Sequence, residues 1–350
     1  MHRRLAARLL VAAALFLANV LVSETMAGMV ADLPVAGEGC PAGGGGPRVV
    51  YLSEQNPEID QDGFCSNAQQ VQNIIFQIGQ IGTLVVDLAC RFDAGLRLPS
   101  RFTLKGLGIG SVSQISFTHD GIGLSICQEE PKGYVTIADL DLYGPNPAGA
   151  KIVAPHATGI ALANQNIVYI TNVRVSNFII GISGRNSFSV FINGSNISDN
   201  RGDNVRIGYG SNGWRIRDGL VSQAGGWGIN VRGPGDDDPL EVVENGLPVT
   251  IEGSNDLLID GVRMESNAGG AIRTDTYGVR ITNSRFELNG LGNSQIAILA
   301  DEDAQETRIL TNLFSGNCID NRSISTQRAF NIPASLNNTE TKYGLGVQCP

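Results

Sequence analysis

The sequence predicts an all-β fold: a right-handed parallel β-helix of three-strand coils with a 22–24-residue repeat, entered through a short N-terminal capping helix. Two observations carry that expectation. Ile170, Ile192, Ile216, Ile259 and Ile281 form one column with intervals of 22, 24, 43 and 22 residues, where 43 is one coil plus an insertion. Two residues beyond each anchor stands a turn former: Asn172, Gly194, Asp218, Gly261 and Asn283, with Asp139 after Ile137 and Asn312 after Leu310. Asn and Asp tolerate the left-handed region and glycine reaches positive φ freely, so one sharp corner can recur at every level.

Each anchor closes a short apolar strand, as in Ile167–Ile170 and Phe188–Ile192. After the corner a second strand alternates inward and outward through Val173 and Val175, Ile197, Leu220, Val262 and Met264, then Phe286 and Leu288; period two marks one buried face. A third begins at Gly159-Ile160, Gly181-Ile182, Asn204-Val205, Gly228-Ile229 and Ala271-Ile272. Register stacking then sets Ile on Ile inside and Asn on Asn at corners, where amides bond along the stack. A β-sandwich also has many short strands but needs no constant period with one residue type at one corner.

The chain opens with basic Arg3, Arg4 and Arg8, an apolar run from Leu9 to Val22, and small residues around Thr25-Met26-Ala27. Residues 1–27 therefore read as a signal peptide and the protein as secreted or periplasmic. Residues 28–82 form an N-terminal segment and helical cap. Ser66-Asn67-Ala68-Gln69 reads as a capping box, with Val71, Ile74, Ile75 and Ile78 on one helix face. Such a helix covers the first coil, whose open edge would otherwise invite association. The β-helix is expected over 83–323, with a loop insertion at 233–248 and an irregular C-terminal cap at 324–350.

Removing residues 1–27 lowers Lys+Arg from 25 to 22 and Asp+Glu from 34 to 33, a net charge of about −11 for the mature chain. That balance argues against duplex nucleic acid and anionic membranes as partners. Six cysteines, Cys40, Cys65, Cys90, Cys127, Cys318 and Cys349, suit disulfides in an exported chain. Zinc is disfavoured because no C-x-x-C pair exists and His is scarce.

Ile-Thr-Asn at 170–172 and 281–283, with Ile-Asp-Gly at 259–261, resembles the pectate-lyase-like β-helix superfamily over roughly residues 83–320. The resemblance implies a ligand along the outer face of the strand preceding the long loops. On that third strand the outward positions are Ala161, Ser183, Arg206, Asn230 and Arg273, followed two residues on by Ala163, Arg185, Gly208, Arg232 and Asp275. The insertion starts just after Arg232, and Trp227, Tyr209 and Tyr277 flank the stripe. Sugar rings stack on such aromatics while Arg grips carboxylates.

The expected partner is therefore a polysaccharide, most simply an anionic one, and the expected chemistry a lyase or C5-epimerase reaction on a uronic acid. In that scheme Arg206, Arg232 or Arg273 neutralises the carboxylate, and Tyr209 or Tyr277 moves the proton. Arg185, Asn230 and Trp227 contact substrate, and Asp236, Asp237 and Asp238 hold Ca²⁺. Ala154-Pro155-His156 partly resembles the Asp-Pro-His signature of alginate epimerases, with Ala154 in place of the acid, which makes His156 a further candidate. Hydrolysis needs two carboxylates across the scissile bond, and Asp275 has only Asp203 and the loop aspartates as candidate partners. The polygalacturonase-like Asp-Asp and Gly-His-Gly set is absent. A non-catalytic carbohydrate-binding or adhesin-like β-helix is the alternative of a different class.

Overall fold

The computed structural model describes residues 47–127, 133–208, 210–232, 243–244, 247–248, 256–274, 276, 278–290, 296–300, 307–315, 317–321, 330–331 and 338–339. The chain divides into two units, Met1–Gly37 with Gly235–Val249, and Glu38–Pro234 with Thr250–Pro350. Within the first, the described part is an antiparallel ribbon of Val243–Glu244 on Leu247–Pro248. The second is an all-β, β-helix-like solenoid of parallel sheets.

Successive coils pair strand on strand in three parallel ladders. The third ladder is a nine-stranded sheet, and the first two are joined in a nineteen-stranded sheet. They are joined because Val135–Tyr143 and Asn166–Ser176 run through the corner as unbroken strands belonging to both. Ile137, Ile170, Ile192, Ile216, Ile259 and Ile281 lie in register in the first ladder, as the repeat predicts. That ladder starts with Val49–Tyr51 on Thr83–Val85.

The corners after the anchors turn through left-handed residues, Asp139, Asn172, Gly194, Asp218, Gly261 and Asn283. One expected position is off by a residue. Ile281 pairs with Ile309, not Leu310, so the corner residue is Thr311, at φ 56°. Asn312 instead turns inward: it is buried, donates to the Ile281 carbonyl and accepts from the Ser284 N–H.

Inside, like residues stack. Ile160, Ile182, Val205, Ile229, Ile272 and Ile298 form one buried column. Phe286 and Phe314 stack at 4.7 Å in the second ladder. Trp214 fills the largest single slot, and it fits because Gly184 faces it: a Cβ there would lie 2.2 Å from the indole. Corner amides bond from coil to coil, Asn172 to Asp139 at 2.7 Å and Asn283 to Asp260 at 2.9 Å.

A second, buried amide ladder follows the second strand. Asn204 donates to Asn267, Asn267 to Asn289 and Asn289 to Asn317, at 3.3, 2.8 and 3.0 Å. These side chains also satisfy backbone groups that a sharp inward turn strands away from water, which otherwise carry a desolvation penalty.

At the start of the solenoid the helix Ala68–Ile78 buries Val71, Ile74, Ile75 and Ile78, as its periodicity predicts. Its N-cap is Asn67 rather than Ser66, and Asn67 Oδ1 accepts from the Gln70 N–H at 2.9 Å. The reciprocal half of the capping box is not made; the Gln70 side chain accepts from Glu58 N and donates to Asn56 O. Beside the helix Cys65 and Cys90 form a disulfide, and Cys127 is disulfide-bonded as well.

Candidate functional site on the third ladder

The stripe exists in register: Ala161, Ser183, Arg206, Asn230 and Arg273 pair one on the next along the outer face of the third ladder. Adjacent coils are about 4.8 Å apart. At its centre the arginine is already spoken for. Asp203, almost fully buried, accepts from Arg206 Nε at 2.9 Å, from Asn230 Nδ2 at 2.9 Å and from the Trp227 N–H at 2.9 Å. Three donors engage both oxygens of this carboxylate and fix both side chains of the stripe. Because a carboxylate only accepts, the Asn230 amide is oriented with Nδ2 toward Asp203. Its Oδ1 is left buried and without a donor.

Trp227 is half-buried at the start of its strand, three residues before Asn230. Arg185, Arg232 and Arg273 are half-buried, and each is engaged in an interaction of its own. His156 is exposed, and its N–H donates to Asp120 Oδ1 at 2.6 Å. It precedes Thr158–Ala163, two coils before the strand of Arg206, which sets it about 10 Å away along the solenoid axis. Tyr209, Asp275, Tyr277 and the calcium candidates Asp236, Asp237 and Asp238 lie outside the described residues. Among the described residues no three His, Cys, Asp or Glu side chains come together to hold a metal ion.

A cleft of about 400 Å³ lies elsewhere, beside the capping helix, lined by Glu58, Asn67, Gln69, Gln72 and Asp93 among others. A second Asp–Arg cluster sits on the second ladder, and sequence reasoning missed it. There Arg174 donates to Tyr143 Oη at 3.0 Å and lies 3.5 Å from buried Asp141. The Tyr143 hydrogen bond, opposed by partial burial and aided by Asp141, raises the Arg174 pKa above its ordinary value. The strand register Asp141–Arg174 and Tyr143–Ser176 was the available signal.

The fold and this face define a parallel β-helix with a polar outer stripe. No family model and no curated protein matches the chain. Among solved structures it is similar to DFA-IIIase from Arthrobacter chlorophenolicus A6 in complex with DFA-III, at 10% identity over 77% of this chain and 67% of that one, with a TM-score of 0.58. The same enzyme without its lid, in complex with GF2, matches at 10% identity over 76% and 81%, with a TM-score of 0.53. The pre-mature bacteriophage phi29 gene product 12 matches at 12% identity over 78% and 41%, with a TM-score of 0.51. At such identities the likeness is one of fold.

Proposed function

We propose that this chain is an extracytoplasmic, right-handed β-helix that binds polysaccharide across its third-ladder face. The observation that carries the reading is Arg206 in register with Ser183 on the outer face and held by Asp203, which also binds the backbone N–H of the half-buried Trp227. An indole offers an apolar platform and Arg206 a fixed donor, so little ordering entropy is left to lose on binding. The Cys65–Cys90 disulfide suits an oxidising compartment.

Binding is preferred to uronate lyase or epimerase chemistry because Arg206, the central cation, already neutralises Asp203. An incoming sugar carboxylate would have to compete with a buried ion pair. The resemblance in fold to DFA-IIIase favours a second reading, an enzyme acting on a carbohydrate.

Tryptophan fluorescence of the mature protein titrated with a panel of soluble neutral polysaccharides tests the proposal. Trp214 is buried, so the expected change belongs to Trp227 and vanishes in Trp227→Phe together with most of the affinity. Unchanged affinity in that variant removes the site. Release of reducing ends or ultraviolet-absorbing unsaturated ends would replace binding by the enzymatic reading.

A further inference from the structure

We propose a second binding surface, on the outer face of the first ladder, for an extended anionic polysaccharide lying along the solenoid axis. One lane of that face runs Thr136, Tyr169, Phe191, Arg215, Leu258, Arg280 and Arg308, each in register with the next. Its two ends differ in chemistry. At one end Tyr169 and Phe191 stack with ring centroids 5.1 Å apart, and Ile167, Tyr169 and Phe188 are 38–40% exposed. The rings face each other, so their outer edges and Ile167 form an apolar shoulder suited to the C–H face of a pyranose.

Toward the other end Arg280 and Arg308 stand directly opposite each other on adjacent coils, both exposed, and neither has an acidic partner among the described residues. Like charges placed opposite in a ladder are destabilising. Elsewhere in the described residues the same arrangement is compensated by acids. On the second ladder Arg263 and Arg285 are also opposite, but Glu265 and Glu287 lie between them at 2.5–3.6 Å. Within the lane itself Arg215 is bound by Asp256 at 2.6 Å. Arg217, in the neighbouring lane, is exposed as well.

A chain of net charge −9 thus presents two adjacent cations on this face with no acidic partner among the described residues. Guanidinium groups pair carboxylates through two parallel hydrogen bonds. The coil spacing of about 4.8 Å approximates one pyranose of an extended chain, so consecutive uronates can meet consecutive coils. The Cys65–Cys90 disulfide suits an extracytoplasmic compartment, which favours a glycan over a single-stranded nucleic acid of similar charge.

The test is calorimetric titration of the full chain with polygalacturonate, with dextran as the neutral control and poly(dT) as the competing polyanion. The account expects binding of polygalacturonate that weakens with added salt. Affinity should fall roughly tenfold or more in the Arg280→Ala/Arg308→Ala double variant and several-fold in Phe191→Ala. Trp227→Phe should bind polygalacturonate as wild type does, which separates this surface from the third-ladder site. Wild-type affinity in the double variant overturns the proposal, as does poly(dT) binding as tight as polygalacturonate or no binding of polygalacturonate at all.

Discussion

On the third-ladder face Arg206 lies against a buried aspartate that also holds Asn230 and the Trp227 backbone, whereas on the first-ladder face Arg280 and Arg308 stand side by side with no acidic partner among the described residues. The strands beneath are alike: short, parallel, and stacked isoleucine or valine on isoleucine. What differs is whether the outer side chains are tied into the solenoid. Asp203 ties the centre of the third-ladder stripe into the folded structure and neutralises Arg206. In the first-ladder lane Arg280 and Arg308 have no such tie among the described residues.

Stability measurements should separate the two faces. Asp203→Ala strands Arg206, Asn230 and the Trp227 N–H together, and breaking a buried pair from one side should cost about 3–5 kcal/mol in urea unfolding. A loss below roughly 1 kcal/mol, the range of surface pairs, would mean that the stripe is not tied in. Beneath the same face, Gly184→Ala drives a methyl into Trp214 and should cost about 1–3 kcal/mol, with a blue or red shift of buried tryptophan emission reporting the displacement. On the first-ladder face Arg280→Ala and Arg308→Ala should change stability by no more than about 0.5 kcal/mol, and at low salt in the stabilising direction, because each removes a like-charge contact. A clear destabilisation by either would reveal a hidden acidic partner and erase the contrast.

The repeat was legible because a solenoid writes its period directly into the chain: the anchors at 170, 192, 216, 259 and 281 all lie in register. The buried Asn267–Asn289–Asn317 ladder was equally periodic, at a constant offset from Ile259, Ile281 and Ile309, but isolated asparagines read as surface turns until their burial is seen. Pairing across coils was the illegible part. Asp203 and Arg206 are near neighbours in sequence, yet nothing in a linear pattern says that Asn230 and Trp227 from the next coil converge on the same carboxylate. Nor does it say that Glu265 and Glu287 neutralise one arginine column while Arg280 and Arg308 keep theirs open. Charge compensation is a property of the stacked coils, visible only once register is fixed.

Hydroxyl-radical footprinting with and without polygalacturonate tests the contrast most directly, since aromatic side chains mark both faces. The account predicts protection of Tyr169, Phe188 and Phe191, with Trp227 oxidised as in the unbound protein. Protection of Trp227, with the first-ladder aromatics unchanged, would contradict it.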